Sequence, residues 1–180
     1  MLRILLILIA FVSLADRHQA WAGDMPIEAF FGDYVGQTTS VVGREVTKRD
    51  LNVSIKANDT AFTIDWTAIM RKSSGKIKRK HYSIDFRPTR RENIFSSAMK
   101  TNMFGHSQAL DPLKGDPYVW ARINGATLTV YALLITDAGG YEMQVYDRTL
   151  TDNGLHLRFS RVRDGETLRL IEGTLTKSSE

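Results

Sequence analysis

Residues 118–170 decide the fold, and they read YVWARINGATLTVYALLITDAGGYEMQVYDRTLTDNGLHLRFSRVRDGETLRL. Four pairs of turn-forming residues divide this stretch at short, nearly even intervals: Asn124-Gly125, Gly139-Gly140, Asn153-Gly154 and Asp164-Gly165. Asn-Gly, Asp-Gly and Gly-Gly tolerate the positive φ angles that tight hairpin turns require. The runs between them therefore predict an antiparallel meander of five strands, over 118–123, 127–136, 141–149, 155–163 and 168–176.

The first half of the chain shows the same alternation of apolar and polar residues. Strands are predicted over 51–55, 61–70 and 77–86, with weaker ones over 30–37 and 93–99, and a helical turn after Met25-Pro26 is expected to plug one end. The stretch 101–116 contains Gly105, Pro112 and Gly115 and predicts a long loop at the barrel mouth. The fold class expected is all-β, an antiparallel up-and-down meander that closes into a barrel of about 8–10 strands.

The first 22 residues predict a secretory signal peptide. Arg3 supplies the positive n-region, Ile4–Leu14 is a short apolar h-region, and Ala20-Trp21-Ala22 satisfies the small-x-small rule for cleavage. Cleavage after Ala15 satisfies the same rule. The apolar run is shorter than the roughly 20 residues of a membrane-spanning helix, and no transmembrane segment is expected in the mature chain. Residues 23–180 then fit a single barrel domain in the periplasm or outside the cell.

The start of the predicted barrel resembles the lipocalin and calycin pattern. Phe31-Gly32-Asp33-Tyr34-Val35-Gly36 precedes a run of hairpins, and Gly32-Asp33-Tyr34 stands where that family has Gly-x-Trp on its first strand. A basic residue of the last strand packs across this aromatic ring in the family, and the resemblance implies Arg169 for that role. The chain is also similar to uncharacterised exported proteins of Gram-negative bacteria.

The sequence carries no recognisable catalytic or metal-binding motif. It has no cysteine, so disulfides and thiol nucleophiles are excluded, and it lacks a Gly-x-Ser-x-Gly elbow, a P-loop and a dinucleotide fingerprint. His81, His106 and His156 lie far apart, without the spacing of a metal site. No catalytic residue, metal or cofactor is assigned. Enzymatic activity stays open but is not favoured, and its minimum support would be loss of activity on His106→Ala.

A basic cluster lies between Arg71 and Arg91, where nine basic residues face one acid, Asp85. The mature chain outside this hairpin carries a net charge of −5, so the charge is polarised. Such a field attracts anionic partners: lipid phosphate, acidic polysaccharide or an acidic protein, rather than nucleic acid in an exported protein. A solvated hairpin that protects edge strands is the alternative. The candidate anion-binding residues are Arg71, Lys72, Lys78, Arg79, Lys80, Arg90 and Arg91.

Aromatic residues recur on the predicted strands and suggest a second kind of site. In a barrel they can line a cavity that holds a small apolar or amphipathic ligand, with an arginine neutralising its carboxylate or phosphate. A solid core is the competing interpretation, since small barrels are often filled by side chains. Ligand binding is the favoured function, and docking through the basic hairpin is the alternative. The candidate ligand-binding residues are Trp66, Trp120, Arg122, Tyr131 and Arg158.

Overall fold

The computed structural model describes residues 23–42, 45–71, 77–97, 100–101, 107–108 and 110–178. Ten strands of these residues close into one antiparallel barrel, in which each strand pairs with its neighbours along the chain and the first pairs with the last. The all-β, up-and-down barrel expected from the sequence is therefore confirmed. The barrel strands are β1 (Gly32–Val42), β2 (Glu45–Ala57), β3 (Phe62–Arg71), β4 (Ile77–Pro88), β5 (Ile94–Ser97), β8 (Tyr118–Asn124), β9 (Thr127–Ile135), β10 (Tyr141–Thr151), β11 (Gly154–Arg163) and β12 (Glu166–Lys177), and a separate pair is β6 (Lys100–Thr101) with β7 (Ser107–Gln108).

The four turn pairs of the second half lie where the sequence predicts them, between β8 and β12. Asp164 and Gly165 have φ angles of 47° and 87°, the left-handed backbone that a two-residue hairpin turn requires. The strands of this half extend at most a few residues beyond their predicted limits. The short-range pattern was sufficient here because each turn is made by neighbouring residues.

A 3-10 turn, Ile27–Phe30, precedes β1 and closes one end of the barrel, as predicted. Phe30 is fully buried, and its carbonyl oxygen accepts a hydrogen bond of 2.8 Å from the Tyr34 hydroxyl. The Met25 amide donates to the Gly125 carbonyl in the β8–β9 turn, and an Asp24 carboxylate oxygen accepts from the Gly125 amide. These bonds hold the segment across the barrel end, which is called the closed end below.

The aromatic residue of the first strand is covered by a lysine. Tyr34 is buried, and the Lys177 ammonium lies 5.8 Å from its ring centroid. Arg169, the residue implied by the lipocalin resemblance, lies near the other end of β12, so that assignment is wrong. A Cβ on Gly32 would lie 2.5 Å from the Lys177 side chain, so glycine leaves room for the lysine to reach the ring. The basic residue does come from the last strand, as the resemblance implies.

The core fills the half of the barrel nearest the closed end, which is called the closed half. Each strand contributes one face to it, and Phe62 stacks on Phe86 with ring centroids 4.9 Å apart and meets Phe95 edge-on at 5.0 Å. Burial of several such side chains supplies the main stabilisation of a chain without disulfides. Other fully buried side chains of this half are Tyr34, Ile55, Ile64, Leu128, Leu155 and Leu175.

β4 pairs with β5 over only part of its length. Only Phe86, Arg87 and Pro88 pair with β5, and the edge of residues 77–85 has no paired strand among the residues that the structure describes. Tyr82 belongs to the inward-facing set of β4, yet 42% of its surface is exposed. The inner face of β4 is therefore partly exposed to solvent at Tyr82.

The stretch 101–116 is less irregular than the sequence predicts. Thr101 pairs with Ser107 in the β6–β7 hairpin, and residues Pro112–Lys114 form a 3-10 turn capped by the Asp111 side chain. The prediction of an unstructured loop is wrong at these positions, because local pairing and a local cap supply backbone hydrogen bonds that the composition does not reveal. β8 begins toward the end opposite the 3-10 plug, here called the open end, whereas all of β5 lies beside the last three residues of β4, near the closed end. Residues 102–106, including His106, lie outside the described residues, as does the predicted signal peptide 1–22.

Candidate ligand cavity

A cavity of about 270 Å³ lies inside the half of the barrel nearest the open end, here called the open half. Its wall comes from β1 to β4 on one side and from β10 to β12 on the other. This volume is near the lower limit of small-molecule sites, roughly 300–1,000 Å³. The barrel is thus solid in one half and hollow in the other. The wall includes four aromatic and four basic residues: Trp66, Tyr82, Tyr146 and Phe159, and Arg49, Lys80, Arg148 and Arg169.

Aromatic rings form one side of the cavity. Trp66 stacks on Tyr82 with centroids 4.9 Å apart, and Tyr146 lies 5.7 Å from Trp66 and 4.7 Å from Phe159. The rings lie on β3, β4, β10 and β11, so the ladder crosses the barrel from one wall to the other. Burial raises the pKa of the Tyr146 hydroxyl to about 12, which keeps it neutral and a hydrogen-bond donor. Such a wall offers a planar apolar surface to a ligand.

Arg148 is a charged side chain inside this wall, and only 3% of its surface is exposed. Its guanidinium carbon lies 5.7 Å from the Trp66 ring centroid and 5.9 Å from that of Tyr146, so the cation contacts two π faces. Nε and Nη1 have no hydrogen-bond partner among the described residues. Burial lowers the pKa of Arg148 to about 10, with weaker opposing effects from Tyr146 and Asp147.

Glu142, nearer the open end, is a buried acid on the inner face of β10, and both of its carboxylate oxygens accept hydrogen bonds. Arg161 forms two bonds with its carboxylate, from Nε at 2.7 Å and from Nη2 at 2.6 Å, and Arg163 Nη2 adds a third at 2.9 Å. Gln144 donates to the same carboxylate at 2.8 Å and accepts from the Tyr146 hydroxyl at 2.8 Å. The Arg161 bond above all holds the pKa of Glu142 down to about 2, against the opposing effect of burial. The Glu142 carboxylate is therefore fully paired, while its two arginines leave one positive charge over.

Three further cations line the cavity: Arg49 on β2, Lys80 on β4 and Arg169 on β12. Arg49 Nε is buried without a partner among the described residues. Burial and, secondarily, the charge of Arg169 lower the pKa of Arg49, which shows that two like charges lie near each other. With Glu142 already shared by Arg161 and Arg163, the interior carries an excess of positive charge.

Of the five predicted ligand-binding residues, Trp66 alone has its side chain in the cavity. Val119, Ala121 and Ile123 of β8 face the core, so the intervening Trp120 and Arg122 face outward. Tyr131 pairs with Trp120 and stacks on it at 4.8 Å on the outer surface. The prediction that Trp120, Arg122 and Tyr131 line the cavity is therefore wrong. Aromatic content alone does not show which face of a strand points inward, since a shift of one residue exchanges the two faces.

Arg158 borders the cavity through its strand, but its side chain points outward. Its guanidinium lies 3.7 Å from carboxylate oxygens of Asp147 and of Glu172, which both belong to the outer set of their strands. The interior arginine anticipated from the sequence exists, but at other positions. Arg148 and Arg161 were missed although they share a face with Tyr146 and Phe159, respectively, at two-residue spacing, a signal that was available in the sequence.

The predicted anion-binding residues do not form one surface. Lys78 and Lys80 share the inner face of β4, and Arg79 lies on its outer face. Arg90 and Arg91 are exposed beyond the far end of the strand, about 30 Å from Lys78 at a rise of 3.3 Å per residue. Arg71 has its backbone in β3 but its side chain, like all of Lys72, lies outside the described residues. Binding of an anionic surface by these residues stays a prediction.

His81 Nδ1 lies 3.2 Å from the Thr67 hydroxyl, and its Nε2 lies 4.0 Å from an Asp65 carboxylate oxygen. His81 and His156 are exposed on outer faces, and no group of three or more His, Asp or Glu side chains could hold a metal ion within the described part of the chain. No helix among the described residues is long and apolar enough to cross a membrane.

No protein-family model matches the chain, and a search of curated proteins gives no match. The fold itself defines the class: a closed ten-stranded antiparallel barrel, consistent with a calycin-like architecture. Function must therefore be argued from the cavity.

Proposed function

We propose that this protein is an exported, non-enzymatic barrel that binds a small amphipathic molecule in the cavity of its open half. The observation that carries the proposal is the cavity itself. About 270 Å³ remain unfilled in the open half, whereas the apolar side chains of the closed half pack into a core. Apolar surface buried against Trp66, Tyr146 and Phe159 would provide affinity, at about 25 cal/mol per Å² removed from water. Tyr82 lines the cavity and is 42% exposed, so the cavity wall is accessible from solvent at this residue.

Export is the second part of the proposal and is supported by the signal-peptide pattern of residues 1–22. The mature chain would then work in the periplasm or outside the cell. A barrel that does not rely on disulfides is compatible with either compartment. The N-terminal residue of the exported protein, Gly23 if cleavage follows Ala22, tests this part by mass.

The test of binding is native mass spectrometry of protein purified gently from the compartment in which it accumulates. The intact native mass is compared with the denatured mass, and an organic extract of the sample is analysed. A stoichiometric extra mass that denaturation releases supports the proposal and identifies the ligand. A native mass equal to the bare chain, combined with no binding of octanoate, octyl phosphate or 1-octanol by calorimetry, contradicts it.

A further inference from the structure

The interior of the barrel holds a charge that no described side chain balances. Arg148 is almost fully buried, and two of its three guanidinium nitrogens lack hydrogen-bond partners among the described residues. A buried ion without a partner is destabilising by several kcal/mol in general, so folded proteins rarely keep one unless it serves a purpose. Cation–π contacts with Trp66 and Tyr146 offset part of this penalty but satisfy no N–H donor.

The neighbouring acids are engaged elsewhere. Glu142 is shared by Arg161 and Arg163. Asp147 follows Tyr146 on the outer face of β10, where it accepts a hydrogen bond of 2.8 Å from the Thr129 hydroxyl and lies 3.7 Å from the Arg158 guanidinium. It raises the pKa of Arg148 only weakly against the effect of burial. Among the described residues that line the cavity, no acid therefore pairs with Arg148.

Other cations face the same space. Arg49, whose buried Nε has no hydrogen-bond partner among the described residues, and Arg169 both line this cavity. Lys80 lines the cavity from β4. Guanidinium groups bind carboxylate and phosphate oxygens through paired N–H donors, which is the geometry that a bound oxyanion requires.

We infer that the cavity is specific for an oxyanion on an apolar body, whose carboxylate or phosphate is bound by Arg148 with support from Arg49 and Arg169. This inference rests on the proposed function, since it names the class of molecule that the cavity takes. The apolar part of the ligand lies along Trp66 and Tyr146, whose rings adjoin the same guanidinium, and along Phe159, which packs on Tyr146. An uncharged molecule of the same shape leaves the cation unpaired and binds more weakly.

The test uses three probes of equal chain length: octanoate, octyl phosphate and 1-octanol. Titration calorimetry measures their affinity for the full chain and for two matched variants, Arg148→Met inside the cavity and Arg158→Met on the outer face. We expect one or both anions to bind roughly 10- to 100-fold more tightly than octanol, as a charged hydrogen-bond pair implies. The preferred anion distinguishes a carboxylate ligand from a phosphate ligand.

Arg148→Met is expected to abolish the preference for the anion while octanol affinity changes by less than about threefold, because methionine fits an apolar wall. Arg158→Met is expected to leave both affinities unchanged. Circular dichroism confirms that each variant is folded, and Arg148→Lys, which keeps the charge but not the planar fork, is expected to restore part of the preference.

Equal affinity for octanol and the anions in the wild type, or a preference that survives Arg148→Met, overturns the inference but leaves the proposed function standing. Failure of all three probes to bind overturns the inference, and it overturns the proposed function as well if the native mass equals that of the bare chain. A preference lost equally in Arg158→Met overturns the assignment to Arg148, since it would show a general field effect.

Discussion

The two halves of the barrel interior are made by the same strands yet differ in how they are filled. In β10, Leu150 and Tyr146 pack against the core, whereas the other inward positions toward the open end are the polar residues Arg148, Gln144 and Glu142. Apolar side chains interdigitate and fill the space between the strands. Charged side chains need hydrogen-bond partners in fixed directions, and this limits how closely their neighbours can pack. The residue types at the inward-facing positions of individual strands therefore determine where the cavity lies.

The largest expected effect separates the packed half from the hollow half. Phe62→Ala removes a ring that contacts Phe86 and Phe95, and it should lower the free energy of unfolding by about 3–5 kcal/mol, the range for large-to-small core changes. Phe159→Ala, at the cavity wall, should lower it by only about 1–2 kcal/mol, because part of that ring already faces empty space. Urea unfolding at neutral pH measures both.

Equal losses for the two variants would show that the open half is as tightly packed as the closed half. A change in the slope of the unfolding transition would have to be excluded, since it signals an altered unfolded state rather than altered packing.

The strands and turns of the barrel could be predicted from the sequence, but the contents of its interior could not, because they depend on contacts between distant residues. The Asn-Gly, Gly-Gly and Asp-Gly pairs located the hairpins of the second half because turns are local. The inward face of β8 was missed because Trp120 and Tyr131 are as apolar as core residues and their outward position is set by strands on both sides. Arg148 was missed because its two-residue spacing from Tyr146 shows that the two share a face but not that this face is buried.

The second effect concerns the Glu142 network. Glu142→Gln leaves Arg161 and Arg163 without their anion and should lower the free energy of unfolding by about 2 kcal/mol at pH 7, since each unit of pKa shift corresponds to about 1.36 kcal/mol and both arginines are partly solvated. The folded pKa of Glu142 is lowered to about 2, so its contribution is complete above the unfolded value near 4.5 and is lost as the pH falls through 2.

Denaturation of both proteins across this pH range therefore gives a difference that is constant above pH 5 and disappears at the acidic end. A difference that persists unchanged at the lowest pH would mean that glutamine disturbs packing and that the carboxylate charge is not the cause. Glu172→Gln is the matched control, because Glu172 is half exposed and its ion pair with Arg158 is longer, at 3.7 Å.

The third effect has the opposite sign. Arg148→Met replaces a buried, unpaired cation with an apolar chain of similar length, and it should raise the free energy of unfolding of the ligand-free protein by about 1–2 kcal/mol. Burial lowers the pKa of Arg148 to about 10, so its penalty is present at neutral pH and is relieved as the pH rises through 10. Thermal unfolding without ligand, in parallel with the calorimetric titrations, would show a gain in stability beside a loss of anion binding.

The smallest expected effect is that of Arg158→Met, which tests whether burial distinguishes the two arginines. The Arg158 side chain is half exposed and lies 3.7 Å from both Asp147 and Glu172, a distance and a solvation at which ion pairs contribute about 0–1 kcal/mol. Asp147 keeps its bond to the Thr129 hydroxyl after the substitution, so no buried acid is left unsatisfied. The free energy of unfolding should fall by no more than about 0.5 kcal/mol, and less still at high salt. If Arg158→Met instead stabilised the protein as much as Arg148→Met, the gain would follow from the lower net charge of the chain, and the buried position of Arg148 would not be its cause.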